Sequence, residues 1–590
     1  LGGGFVSHSP PRSRTRLWAA TILVAAGTLV VMIATEPRLA MVWDEGYTLG
    51  REARVRAWFR AMRDPTSFAQ SWEPPSALEG LVDDKLPPPT ASEVDTRAKL
   101  LSGRVLAWFW PFAREEPHGH PPFYAIVGVA GDWLAPSWAE LPRSRLGPMI
   151  VFSLAAGAIF GAFLRKGGPW AASAAAGAWV LNPHLFALGH YAGYDAILSA
   201  LWVGAILAFC RAVSDEGVRR WLWVVVFGVL CGLALDTKLT GWFLPLPFLA
   251  WSILSRNRRG LRTLVIGGSV ALVTLYLFNP PWWLNPVGGP IAFFRSNLSR
   301  AKTIPIQVMF LGTLYRTPAE SLPFYNTLAW TVMATPIGFL VLSLVGAVFG
   351  CHWSYPTSAP PARQNTGQGS PPVPGRDPLP ILALSHWIFL LALRALPHAP
   401  GHDGVRQFLP AFGCLALMAG VGATFVVERW KVWGKLLVAV AIIEGAASLA
   451  LVMPVPLSYF SPIVGGLPGA AKIGMEPTYY WDALSTDALD QLAKTTPRGR
   501  SVFFKTFPTS WTHLQRTGAI RFDLAQIDRT PPAWYVVQNR PGDFSEIDRR
   551  LIRTLGPKHV LVEKFGVPLV WAFPYDEVEA ALKTTPKGSP

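Results

Sequence analysis

Long apolar runs, separated by polar segments, set the pattern of this chain. A bilayer core takes about 20 consecutive apolar residues as helix. The first run of that kind covers residues 17–34 and follows Arg12, Arg14 and Arg16. No small-residue cleavage site follows it before Glu36, so it reads as an uncleaved anchor rather than a removed leader. Further runs lie near 146–164, 171–190, 196–213, 221–237, 240–255, 262–279, 326–350, 379–396, 405–427 and 434–453. The pattern predicts a polytopic α-helical membrane protein with about eleven spans. Residues 121–136 are also apolar, but Gly128, Gly131 and Asp132 interrupt them. They read as a juxtamembrane or half-inserted helix.

The polar segments divide the rest. Residues 1–16 form a short basic N-terminus, and 17–453 form the membrane domain. Within it, 36–120 and 280–325 are long loops expected on the outside. In the first loop, Val55, Trp58, Phe59 and Met62 recur at i, i+3, i+4 and i+7, with Arg51, Arg54, Arg56, Arg60 and Arg63 nearby. That spacing predicts an amphipathic helix at the membrane surface. In the second, Ile291, Phe294 and Leu298 have similar spacing. Residues 351–378, rich in Pro, Gly, Ser and Gln, read as a disordered cytoplasmic linker. The tail, 455–590, alternates β-like runs (501–505, 533–538, 569–573) with helical stretches (486–494, 544–554), which predicts an extracytoplasmic α/β domain.

Composition agrees with a membrane protein. The 590 residues are 51% hydrophobic and only 15% charged, against roughly 25% charge in soluble proteins. The 26 Trp and 33 Phe exclude a disordered chain. The four cysteines lie in or beside apolar runs, so no disulfide is expected. The net charge of +16 would fit a nucleic-acid binder if it were spread over one surface. Instead, with the N-terminus inside, most of the excess falls on short loops that alternate to the cytoplasmic side, such as Arg256, Arg258, Arg259 and Arg262. The charge is therefore an orientation signal. It places the N-terminus in the cytoplasm and the C-terminal domain outside, in the plasma membrane or inner membrane, and no nucleic-acid partner is expected.

Five features at outside ends of spans carry candidate chemistry. They are Asp44-Glu45, just after the first run; His118-Gly119-His120-Pro121-Pro122; Asp195; Lys238, in Asp236-Thr237-Lys238; and Arg406, in Arg406-Gln407-Phe408-Leu409-Pro410. Each has a bland reading as well: a solvated loop start, a Pro-initiated helix, or a charge that snorkels to the interface. Taken together they hold carboxylates that accept a proton from an attacking hydroxyl and cations that stabilise charge on a departing phosphate. The aromatic triplet Tyr479-Tyr480-Trp481 opens the tail. It reads as a sugar-stacking surface or, more often for such clusters, as an interfacial belt or core.

This order of elements resembles the GT-C superfamily of polyprenyl-phosphate-dependent glycosyltransferases, with the protein O-mannosyltransferase-like (family 39) and aminoarabinose-transferase-like groups nearest. The resemblance covers roughly 17–453. Gln407-Phe408 and Leu239 depart from the family's usual residues at those places. The resemblance implies a GT-C-like fold and transfer of a sugar from a polyprenyl-phosphate donor to an extracytoplasmic protein, lipid or glycan acceptor, with inversion. It implies Asp44 as general base, Glu45 as its orienting neighbour, and Asp195 as a carboxylate that positions sugar or acceptor or ligates a metal. His120, Lys238 and Arg406 would hold the donor phosphate. A divalent metal, if used, would fall to Asp44, Glu45, His118 and His120. The competing expectation from the spans alone is a transporter or flippase of a lipid-linked sugar, against which stand the absence of an internal repeat and the large outside loops.

Overall fold

The structure is a computed structural model that describes residues 14–73, 86–111, 120–303, 306–317, 319–350, 377–506, 511–524 and 531–583. The expected 351–378 linker lies outside the described residues except at its C-terminal end, and so does His118.

All eleven apolar runs are helical, but they are not eleven equal spans. Seven helices are long and apolar enough to cross a membrane: Thr15–Arg38, Glu140–Lys166, Asp195–Ser214, Gly217–Leu235, Arg258–Phe278, Pro410–Trp430 and Val432–Val452. The chain is thus an integral membrane protein. The other four runs are shorter or broken, and proline causes most of the breaks. Run 171–190 splits into Gly168–Val180 and Pro183–His190. The Asn182 side chain caps the second piece by accepting from the N–H groups of His184 and Leu185, both at 3.1 Å. Run 326–350 splits at Pro336 into Asn326–Met333 and Ile337–Gly350. There the Glu444 carboxylate accepts from the N–H groups of Ile337 (2.8 Å) and Gly338 (2.7 Å). A proline cannot continue the hydrogen-bond ladder, so each break frees polar groups that need a partner inside the membrane.

Small residues let the helices approach closely. A Cβ on Gly346 would lie 2.0 Å from the Met418 carbonyl oxygen, and one on Gly422 would lie 1.9 Å from that of Leu342. This contact seats Ile337–Gly350 on Pro410–Trp430, which with Asp195–Ser214 is the most enclosed of the long helices. Those two central helices begin at, or just after, two of the candidate residues, Asp195 and Arg406.

Residues 121–136 form the helix Phe123–Leu134, whose 12 residues reach about 18 Å, short of a bilayer core of about 30 Å. It packs on Glu45–Arg63. In the latter helix Val55 and Trp58 are buried while Arg60 and Arg63 are exposed, but two of the nearby arginines turn inward: Arg51 donates to the Tyr124 hydroxyl at 3.0 Å, and Arg54 donates to the Trp108 carbonyl at 3.1 Å. Glu52 from this helix is buried against Gly128, and Ser144 donates to its carboxylate. A Cβ at position 128 would sit 1.8 Å from Glu52 Oε1. Gly128→Ala is therefore expected to cost about 1–3 kcal/mol, read as a lower unfolding temperature of the purified protein. An unchanged temperature would mean that Glu52 swings aside freely.

The segments between and after the spans hold a hairpin that the hydrophobic pattern did not announce and the sheet expected in the tail. After the helix Gly288–Thr303, a hairpin pairs Ile306–Phe310 with Thr313–Thr317. The tail contains a five-stranded sheet. Asp523–Leu524, Ser501–Phe504 and Trp534–Gln538 run parallel, and Val567–Pro574 and Val560–Lys564 complete it in antiparallel pairing. Hairpin and tail are joined: the Gly312 N–H donates to the Gly474 carbonyl at 3.0 Å, and the Met309 N–H donates to Glu476 Oε1 at 3.2 Å.

Candidate active site

Four of the candidate residues meet at one end of the helical domain. Asp44 is the residue before the helix Glu45–Arg63, and Asp195 opens the helix Asp195–Ser214. Lys238 follows the end of Gly217–Leu235 in extended backbone. Arg406 sits in a short 3-10 turn ahead of Pro410. That turn is set by Asp403 (φ 61°) and Gly404 (φ 56°), and a Cβ on Gly404 would lie 2.9 Å from the Tyr479 ring. Glycine is needed there for both the left-handed backbone and the close approach.

Arg406 is the hub. Its Nη2 donates to Asp44 Oδ2 at 2.6 Å, its Nε to Asp195 Oδ2 at 2.9 Å, and its Nη1 to Asp403 Oδ2 at 2.8 Å. Lys238 Nζ donates to the other oxygen of Asp195 at 2.7 Å. Arg540, which follows the tail strand Trp534–Gln538, lies 3.4 Å from Asp403 Oδ1. The cluster thus pairs three carboxylates (Asp44, Asp195, Asp403) with three cations (Lys238, Arg406, Arg540). The Tyr194 hydroxyl donates to Asp44 Oδ2 at 3.0 Å, and the Tyr194 ring lies 4.9 Å from Lys238 Nζ and 4.0 Å from the His120 ring. Burial opposes ionisation of Asp44, but the Arg406 charge and the hydrogen bonds from Arg406 and Tyr194 outweigh it and hold the carboxyl at about 2. Asp44 is ionised at neutral pH, with a quarter of its side chain still exposed.

Glu45 does not join this cluster. Arg145 grips it through Nε and Nη2, both at 2.7 Å, and also binds Glu36 at 3.0 Å and the Ala40 carbonyl at 2.8 Å. Glu45 further accepts from the N–H groups of Val42 (3.0 Å) and Ala192 (2.9 Å). Its carboxylate is thus committed to holding the start of this loop against two other elements. It is not placed to share a metal ion with Asp44. Among the described residues, no three His, Cys, Asp or Glu side chains are grouped to hold one.

The aromatic triplet is divided in the same way. Tyr479 is buried, and its hydroxyl lies 2.8 Å from His184 Nδ1. Tyr480 is buried with its ring 3.7 Å from the Arg406 guanidinium carbon. Only Trp481 keeps exposed surface, between Trp43 (4.9 Å) and the Arg540 guanidinium (3.9 Å). Tyr479 and Tyr480 have no open face for a sugar. Just beyond, both carboxylate oxygens of Asp482 are buried without a hydrogen-bond partner among the described residues, and burial pushes that group up to about 7.

Four residues with parts in this arrangement had no role from the sequence. Asp403 was visible beside Arg406 and Tyr194 beside Asp195, but Arg145 and Arg540 carry no local signal.

No curated protein matches this chain. ArnT from Cupriavidus metallidurans bound to undecaprenyl phosphate is 15% identical over 93% of this chain and 97% of that one, with a TM-score of 0.49. The archaeal oligosaccharyltransferase AglB from Archaeoglobus fulgidus, in complex with an inhibitory peptide and a dolichol-phosphate, is 12% identical over 87% of this chain and 69% of that one, with a TM-score of 0.40. Over residues 137–284, which carry Asp195 and Lys238, the chain is similar to the dolichyl-phosphate-mannose-protein mannosyltransferase family.

Proposed function

We propose that the protein is a membrane glycosyltransferase that moves a sugar from a polyprenyl-phosphate donor to a hydroxyl-bearing acceptor, with inversion at the anomeric carbon. The observation that carries this reading is the contact of Asp44 with Arg406 at 2.6 Å, beside Lys238 and Asp195. A proton acceptor and two phosphate-holding cations stand at one spot at the end of the spans. The family match over 137–284 supports a lipid-phosphate-linked donor.

The step follows from the groups present. The acceptor hydroxyl gives its proton to an Asp44 carboxylate oxygen while its own oxygen attacks the anomeric carbon. The bond from that carbon to the phosphate oxygen breaks, and the electron pair leaves with the phosphate. Lys238 and Arg406 stabilise the added charge. With Arg406 saturated by three carboxylates, the arriving phosphate competes with Asp44 for the guanidinium. Phosphate binding therefore frees Asp44 from its strongest partner and raises its basicity at the moment an acceptor needs it. Asp195 keeps Lys238 and Arg406 together. His120 lies next to Tyr194 and lines the same end. The basic inner loops favour an extracytoplasmic site, with a protein, lipid or glycan as acceptor.

The test is sugar transfer by purified protein from a panel of polyprenyl-phosphate sugars, followed by release of polyprenyl phosphate. Lys238→Met is expected to raise the donor KM about tenfold or more, the loss of a charge-assisted hydrogen bond. No donor consumption together with passage of the lipid-linked sugar across vesicles would replace the enzyme by a transporter.

A further inference from the structure

The tail does more than follow the membrane domain. The segment after the last span returns to the site and covers one side of it. Tyr480 lays its ring against the Arg406 guanidinium at 3.7 Å. Tyr194, from the membrane domain, donates to the Asp44 oxygen that Arg406 also binds, and its ring lies 5.9 Å from Arg406. The arginine is thus flanked by two tyrosine rings that lie far apart in sequence.

The chain supports this placement at some local cost. Trp481, the next residue, has φ 56°, a left-handed conformation that a bulky side chain seldom adopts. Trp43 and Arg540 hold it there. On the other side, Tyr479 is fixed by His184 and by the close approach of Gly404. Strain kept by surrounding contacts is characteristic of functional positions.

We propose that Tyr480 is a positioning residue for Arg406 and, through it, for Asp44: its ring sets the guanidinium that receives the donor phosphate and pairs with the base. The domain after the last span therefore completes the site. This inference rests on the transferase reading for what the two groups do, but not for phosphate binding itself.

The experiment uses the full chain in lipid nanodiscs, with undecaprenyl phosphate as the binding probe and sugar transfer as the second readout. Tyr480→Leu removes ring and hydroxyl and is expected to weaken undecaprenyl phosphate binding about tenfold, the worth of a desolvated cation–π contact. Tyr480→Phe keeps the ring. It is expected to bind and to turn over within about twofold of wild type, and Tyr480→Trp, which also presents a ring, is expected to restore most of both. Wild-type binding by Tyr480→Leu would overturn the proposal, as would equal loss of binding in the Leu and Phe variants. Phe is close to isosteric with Tyr, so this comparison stands even if the Leu variant misfolds. Wild type that binds undecaprenyl phosphate but transfers sugar from no donor would sink the transferase reading alone, while the binding comparison still decides Tyr480.

Discussion

Asp44→Asn is expected to lower turnover by about 10²- to 10⁴-fold without weakening polyprenyl-phosphate binding. The amide has the shape of the carboxylate and cannot take a proton from the acceptor. It also cannot form the 2.6 Å ion pair with Arg406. With that competitor gone, the guanidinium is more available to phosphate, and binding of undecaprenyl phosphate is expected to tighten a few-fold. A merely structural Asp44 would make binding and turnover fall together. Measured kcat and Kd for the same preparation separate the cases. Wild-type turnover in this variant would remove Asp44 as the base, and weakened binding would remove the exchange of carboxylate for phosphate.

The second large effect concerns stability. Arg145→Ala is expected to destabilise the protein by about 3–5 kcal/mol, because it leaves the buried Glu45 and Glu36 carboxylates without their cation. Arg145 is 1% exposed, and all three of its guanidinium nitrogens are bonded. Glu45→Gln is expected to cost less. Val42 and Ala192 donate to different oxygens of Glu45, so glutamine keeps an acceptor for only one of the two N–H groups, but it no longer carries a buried charge of its own. Unfolding of the detergent-solubilised protein, followed by far-UV circular dichroism, ranks the two. If Arg145→Ala unfolds like wild type but loses transfer, the Glu45–Arg145 pair acts in the reaction and not in the fold.

These two experiments separate neighbours that the sequence presents as one feature. In the sequence, Asp44-Glu45 is a pair of acids at the end of an apolar run. Successive helical positions point about 100° apart, so adjacent acids at a helix start face different surroundings. Which one meets Arg406 and which meets Arg145 depends on elements 362 and 100 residues away. Asp195, Lys238 and Arg406 were legible for a simpler reason. Each stands at the end of an apolar run, where a charge is costly unless it has a use. Their convergence required only that the ends lie on one side.

The tail shows the opposite case. Its β-like runs announced three of the five strands, while the two-residue strand Asp523–Leu524 and the edge strand Val560–Lys564 were too short or too charged to stand out. Tyr479-Tyr480-Trp481 was visible as an aromatic cluster, but a cluster in sequence does not reveal whether its faces are open. Packing closed two of the three, one on His184 and one on Arg406.

The sequence by itself determined the membrane class, the positions of the helices, and the residues able to do acid–base and phosphate chemistry. Bilayer insertion depends on local apolar length, and a charge at a run end is a local fact. Two runs that read as continuous, 171–190 and 326–350, are broken at the prolines at 183 and 336. Only the tertiary structure decided the partners: three carboxylates around one arginine, the second arginine that removes Glu45 from the site, and the tyrosine that the tail brings back. Ion pairs and ring contacts act over a few ångströms between segments hundreds of residues apart, and chain folding alone brings those segments together.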